Sequence, residues 1–240
     1  LGLVWVLGAA LLLGACVNAP KRLAYDREAH AEIGSLTVLP MRHSEIGVYI
    51  ANNPGYNFGM IGALIAEADR ATKRSWLQEQ ARAAGFDHLA IFRETLEREL
   101  ASRGYAVTWQ MPVAEAAAMK TPRDYWGLRR RYASATSDAQ LDVNFDFVGY
   151  AAAGSGPDAP YRPTVVVTAR LLDRDAKSVL FEDNIVYNPV FPLVAEGITI
   201  NADDRYRYPN FDSLKQAGPD ALEGLRLAFE ATAAELARQL

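Results

Sequence analysis

The 240-residue chain has one cysteine, three histidines and little charge imbalance, and each scarcity excludes a class of protein. A single cysteine cannot form an internal disulfide and leaves no cysteine pair for a zinc site. His30, His43 and His88 lack the spacing of metal ligands on one helix face. The 25 Lys+Arg and 29 Asp+Glu give a formal net charge of -4, which argues against binding by phosphate neutralisation. We therefore expect no metal, no cofactor and no nucleic-acid partner.

Charge is also missing from the start of the chain, where residues 1–15 form an uninterrupted apolar run. As a helix this run spans roughly 22 Å, whereas the core of a bilayer is about 30 Å thick. The length is instead typical of the apolar region of a secretory signal. Because such signals begin with Met and a basic stretch, we expect further residues to precede Leu1.

The apolar run ends at Leu13-Gly14-Ala15-Cys16, and this motif resembles the lipobox of bacterial lipoproteins. The resemblance implies cleavage between Ala15 and Cys16 and attachment of lipid to Cys16, which would hold the protein on a membrane without a spanning helix. Val17 stands where lipoproteins kept in the inner membrane often carry Asp. The resemblance therefore implies the periplasmic face of the outer membrane of a Gram-negative bacterium. The alternative is a short transmembrane or buried helix that ends in an ordinary cysteine.

Three segments follow from this interpretation. Residues 1–15 are predicted to be a lipoprotein signal peptide, and residues 16–32, which are polar, a lipid-anchored tether. Residues 33–240 are predicted to form a single periplasmic domain. Its length is sufficient to bury a hydrophobic core.

The domain is predicted to be α+β, with a mixed sheet of about five strands and helices packed mainly on one face. Strands are predicted at 33–40, 105–110, 141–147, 164–172 and 178–188, and helices at 59–84, 87–103, 113–119, 124–133, 212–217 and 219–240. Asp87 is predicted to cap the helix at 87–103, and Pro219 to lie in the first turn of the last helix. The first strand, a packed helix and the strand after Gly104 are predicted to form one crossover unit. This element order, with a helix that ends at Arg103-Gly104-Tyr105, resembles the TolB amino-terminal and CsgG-like periplasmic domains. Those families use the fold for assembly at the outer membrane.

Two features of the sequence are candidates for catalysis. His43 lies beside Ser44 and Glu45 after a predicted strand, but no nucleophile motif with flanking glycines accompanies it. Asp142 and Asp146 alternate along a predicted strand without the glycine and glutamate of a calcium loop. We expect a surface loop in the first case and a solvated sheet face in the second, so a hydrolase is the least favoured function.

Two surfaces are candidates for protein contact. The first is the apolar stretch 58–66, which is rich in small residues that permit close helix approach and carries Phe58, Met60, Ile61, Leu64 and Ile65. The second is the loop 190–211, where Tyr206 and Tyr208 are of a type enriched at interface hot spots. The alternative for both is packing on the sheet of the domain itself.

Together these features predict a non-catalytic, lipid-anchored binding or assembly module of the cell envelope. Its expected partners are the membrane, through the amino-terminal lipid, and an envelope protein. The alternative is an oligomeric subunit of an envelope or secretion complex, with residues 58–66 as the contact between subunits.

Overall fold

The computed structural model of this chain describes residues 22–42, 44–110, 121–155, 159–189 and 197–240. Ala15, Cys16, His43 and the helix predicted at 113–119 lie outside these ranges. Within them, the predicted α+β class is confirmed, and the sheet has seven strands where about five were predicted. The elements are β1 Ser35–Val38, β2 Gly47–Ile50, α1 Gly59–Ala83, α2 His88–Ser102, β3 Ala106–Trp109, β4 Ala139–Ala152, β5 Arg162–Asp173, β6 Val179–Tyr187, β7 Ile198–Ile200, α3 Phe211–Ala217 and α4 Pro219–Gln239.

The strands form one mixed sheet in the order β3-β1-β4-β5-β6-β7. The long strand β4 pairs with β5 along one edge, and with β1 and then β2 along the other. The pairs among β4, β5 and β6 are antiparallel, and the β1–β3, β1–β4, β2–β4 and β6–β7 pairs are parallel. The chain between β1 and β3 contains α1 and α2, as the predicted crossover between parallel strands requires.

A β-bulge divides β4 into two halves that present residues of opposite parity to the core. Phe145 pairs with Val167 and Phe147 pairs with Val166, so Asp146 is the extra residue. Leu141 and Val143 face the core before the bulge, and Val148 and Tyr150 face it afterwards. The bulge therefore keeps apolar side chains on the helix-covered face along the whole strand.

Helices α2 and α4 pack on this apolar face. Their buried side chains recur at three- and four-residue spacing, and Phe92 and Phe229 both contact Phe145, with ring centroids 4.9 Å and 5.9 Å away. The side chain of Asp87 accepts a hydrogen bond from the Ala90 amide, which confirms the predicted cap of α2. Pro219 lies in the first turn of α4, as predicted.

Two expectations are wrong in detail. Two strands were missed because they are short: β2 has four residues and β7 has three. Residues 124–133 form turns and an irregular path where a helix was predicted. Residues 22 and 23, which fall in the predicted tether, contact the sheet: Leu23 exchanges two backbone hydrogen bonds with Glu182, and Arg22 pairs with Asp183 at 3.1 Å. In the described part of the chain, no helix is both long and apolar enough to cross a bilayer.

Gly149 provides a test of the β2–β4 pairing. It has a φ of 142°, and a Cβ there would lie 1.8 Å from the carbonyl oxygen of Gly47. We expect Gly149→Ala to lower the free energy of unfolding by about 3 kcal/mol or more, because both the backbone strain and the clash must be relieved. The measurement is chemical denaturation followed by circular dichroism.

The matched control is Gly34→Ala, since a Cβ at Gly34 would meet no atom within 4 Å. We expect this variant to change the free energy of unfolding by less than about 1 kcal/mol. Equal denaturation midpoints for the two variants would show that β2 is not held against β4 in this register.

Candidate interaction surface

Five large apolar side chains at the start of α1 are exposed to solvent. Met60, Ile61, Leu64 and Ile65 form one stripe on the helix and Phe58 precedes it, with exposures between 65% and 79%. We call these five residues the α1 ridge. Together they present on the order of 600 Å² of apolar surface, which is at the upper end of the largest patch on a typical monomer.

The opposite side of the same helical turns is buried against the 3-10 helix Pro54–Phe58. A Cβ on Gly62 would lie 2.3 Å from the Gly55 carbonyl oxygen, and a Cβ on Gly55 would lie 2.8 Å from the Cβ of Ala66. The small residues of the 58–66 stretch therefore permit a close contact within the domain. Because this contact occupies the small-residue side, the large side chains of the ridge point outward.

The first turns of α1 extend past the end of the sheet. Gln78 hydrogen-bonds the Ile46 carbonyl just before β2, and Lys73 lies 6.0 Å from the ring centroid of Tyr161, near the far end of β4. The helix therefore runs antiparallel to β2. The part of α1 before Lys73, residues 59–72, continues for about 20 Å beyond this level, since each residue adds about 1.5 Å.

A polar cluster borders the ridge on one side. Tyr56 donates a hydrogen bond to Glu67, and Arg70 pairs with the same carboxylate at 2.6 Å. The hydrogen bond from Tyr56 lowers the pKa of Glu67, so this carboxylate is charged at neutral pH. The ridge is thus an uncharged surface that ends at the Glu67–Arg70 ion pair.

The second predicted surface is largely part of the fold. Tyr208 is 9% exposed, its ring lies 5.7 Å from that of Tyr150, and its backbone pairs with that of Tyr161. Tyr206 is half-buried against α4, where a Cβ on Gly224 would lie 2.7 Å from its ring. Tyr208 is therefore part of the domain's own packing, and its prediction as an exposed contact is wrong. Gly224 inside α4 allows the Tyr206 ring to approach the helix closely. Residues 190–196 of this loop lie outside the described ranges.

The polar face of β4 is buried, which corrects the expectation of a solvated face. Residues 121–132, which we call the strap, cover this side of the sheet. Asp142 is 0% exposed, pairs with the Arg129 guanidinium, and accepts hydrogen bonds from the Arg129 amide at 2.7 Å and the Tyr132 hydroxyl at 3.0 Å. Its carboxylate therefore anchors the strap to the sheet.

A second arginine fixes the other side of the strap. Arg170 pairs with Glu182 of β6 at 2.6 Å and with Asp124 of the strap at 3.1 Å. It also donates to the Tyr132 hydroxyl at 3.2 Å. Burial raises the pKa of Tyr132, so its hydroxyl stays protonated and can donate to Asp142. The strap is thus held by buried charges that satisfy one another, which is an arrangement suited to structural support.

Asp146 lies at the bulge with its carboxyl group against the sheet. It accepts hydrogen bonds from Asn144 Nδ2 at 2.9 Å and from Thr168 Oγ1 at 2.5 Å, and the same Thr168 hydroxyl lies 2.6 Å from Asn184 Oδ1. The residue as a whole keeps exposed surface, but the surroundings of its carboxyl group govern its titration. Burial of that group raises the pKa of Asp146 to about 6, although the hydrogen bonds from Thr168 and Asn144 oppose the shift.

The candidate catalytic residues are not assembled into a site within the described ranges. Asp142 is committed to the strap, Asp146 to its neighbours on the sheet, and His43 lies outside those ranges. Among the described side chains, no group of three or more His, Cys, Asp or Glu is placed to hold a metal ion.

Comparison with known proteins shows a weak structural likeness. No family model matches the chain, and no curated protein matches it. Among solved structures, the lipoprotein GNA1162 from Neisseria meningitidis is similar at 16% identity, over 68% of this chain and 81% of that chain, with a TM-score of 0.23. Because identity and TM-score are both low, this likeness assigns neither a function nor a site to the chain.

Removal of the Asp142 carboxylate tests the role of the strap. We expect Asp142→Ala to lower the free energy of unfolding by about 3–5 kcal/mol, because it leaves the Arg129 charge buried without its partner. The control is Asp175→Ala at the exposed Lys177–Asp175 pair, with an expected loss below about 1 kcal/mol. Chemical denaturation measures both. Comparable losses would contradict a strap held by buried charge.

The raised pKa of Asp146 predicts a pH dependence of a definite sign. Because the folded state favours the protonated carboxyl, its contribution is present below the ordinary value of 3.8 and is lost as pH rises through about 6. We expect Asp146→Asn to remove this loss, so the variant gains stability relative to wild type between pH 4 and pH 7. Denaturation of both proteins at several pH values measures the difference.

Asp138→Asn is the control for this series, because hydrogen bonds from Ser35 and Gly34 lower the pKa of Asp138 to about 2. Its contribution is lost only as pH falls from 3.8 towards 2, so its stability difference from wild type stays flat between pH 5 and pH 7. A flat difference for Asp146→Asn as well would contradict the assignment.

Proposed function

We propose that this protein is a lipid-anchored envelope protein that acts as a binding or assembly module, with the α1 ridge as its contact surface. The observation that carries the proposal is the exposure of five large apolar side chains on a helix that extends past its sheet. Burying about 600 Å² of apolar surface contributes roughly 15 kcal/mol before the costs of association. Association itself costs about 4–15 kcal/mol, so the ridge would supply the main favourable term of such a contact.

The position of the predicted anchor supports a contact away from the membrane. Cys16 precedes Arg22 by six residues, which reach at most about 20 Å, and Arg22 and Leu23 are fixed at the outer edge of β6. With Cys16 lipidated, this edge would be held close to the bilayer.

The ridge lies at the other end of the strands. Leu23 pairs with Glu182, which is level with Arg170 and Asp142, whereas β2 ends level with Ala152 and leads into the ridge. Ten strand residues separate the two levels, which is about 30 Å. A domain held at its β6 edge would therefore present the ridge to the periplasmic space, where proteins are the available partners.

Photo-cross-linking in intact cells tests this function. We expect a photoreactive amino acid at Leu64, in the ridge, to form a cross-linked protein product. The same group at Ser75, which is exposed further along α1, should form none, because an apolar contact is confined to the ridge. Adding Ile61→Asp should abolish the Leu64 product, since a charge in a buried apolar contact is costly. Equal products from Leu64 and Ser75 would contradict a specific surface.

The anchor is tested separately with Cys16→Ala. We expect this variant to leave the membrane fraction, because no acyl chain would then hold it. If it sediments with membranes as the wild type does, the lipid assignment is wrong, and the evidence for the ridge is unaffected.

A further inference from the structure

We propose that the partner of the α1 ridge is a second copy of this chain, with the two α1 helices packed antiparallel through their ridges about a two-fold axis. This inference rests on the proposed function, because it names the occupant of the same surface. Three observations favour a second copy over another partner: the area of the ridge, the distribution of charge along α1 and the uncapped start of that helix.

The apolar area of the ridge is sufficient for an interface between two copies. Two ridges of about 600 Å² each would bury about 1,200 Å², which is the lower bound for a specific protein–protein interface. Homodimer interfaces are also more apolar than other interfaces, and no charged residue occurs between Tyr56 and Glu67.

The charge pattern along α1 is self-complementary in the antiparallel arrangement. The chain carries no charged residue from 46 to 66, and the ridge within this stretch spans Phe58 to Ile65, with its midpoint between Ile61 and Gly62. A two-fold axis at this midpoint places the ridge opposite itself, as an interface that uses the same patch on both copies requires. All the charged residues of α1, from Glu67 onward, then lie beyond the apolar contact.

The start of α1 lacks the groups that normally complete a helix. Phe58 at the cap position makes no side-chain hydrogen bond to the first turn, and that turn contains no acidic residue. In the antiparallel pair, Glu67 of the second copy would come level with a point about 5 Å beyond Gly59, the first residue of α1. A carboxylate near the positive end of a helix dipole is stabilising, so the pair would place an acidic group where each helix terminus lacks one.

A lipid surface is the less favoured occupant. The ridge is about 30 Å from the level at which the chain leaves the sheet towards Cys16, and the tether reaches about 20 Å. A membrane held by that tether therefore lies at a different end of the domain.

Cysteine cross-linking of the full chain in intact cells tests the pairing. Ile61 is next to the proposed axis, so we expect Ile61→Cys to yield a dimer with a short bismaleimide. Thr72 is exposed on the same helix, but two copies of it would be about 30 Å apart in the antiparallel pair. We therefore expect Thr72→Cys to yield no dimer. Dimers from both variants would indicate parallel pairing or random collision and overturn the proposal.

A charge swap at the axis shows whether the contact is with the same residue of another copy. Ile61→Asp and Ile61→Lys should each reduce native dimer by at least about tenfold, because like charges would face each other. Co-expression of the two variants with different tags should restore a mixed dimer. Since Ile61 is exposed in the single chain, both variants should fold, which circular dichroism verifies.

The outcomes separate this inference from the proposed function. If the Leu64 photo-cross-link contains only a different protein and the charge swap restores nothing, the second copy is ruled out while the ridge remains a protein contact surface. If the ridge cross-links only to lipid, or to nothing, both proposals fail.

Discussion

Strand β4 runs for 14 residues and pairs with β5 along one edge and with β1 and β2 in tandem along the other. The bulge at Asp146 allows this length, because it returns apolar side chains to the core-facing side after the strand bends. The position of β2 at the far end of β4 decides where α1 begins. The ridge is therefore exposed because β4 holds β2 at the end of the sheet, and α1 begins beyond that end.

The two faces of the sheet are covered in different ways. Helices α2 and α4 cover one face by apolar packing around Phe145, Phe92 and Phe229. The strap covers part of the other face through Asp142, Arg129 and Arg170, whose charges are satisfied by one another. Buried charges of this kind tolerate little displacement, because a lost partner leaves an uncompensated charge. The buried ion pairs of Asp142 and Arg170 therefore hold the strap on the sheet.

Much of the fold could be predicted from local patterns. The cap at Asp87, the proline at the start of α4 and the alternating strands β4, β5 and β6 depend on residues close in sequence, and they are confirmed. Strands β2 and β7 were missed because three or four residues carry too little pattern to be distinguished from loop. Most of the strap falls in the helix predicted at 124–133, whereas the partners of its charged side chains lie 13 to 46 residues away in sequence.

The sequence alone determined the class of the domain, its main elements and the apolar character of residues 58–66, because these depend on composition and short-range periodicity. Only the tertiary structure decided which residues are accessible. It left Ile61 and Leu64 in solvent, buried Tyr208 among other tyrosines, and enclosed Asp142 under the strap. The physical reason is that exposure depends on what packs over a side chain, and long-range strand pairing sets that packing.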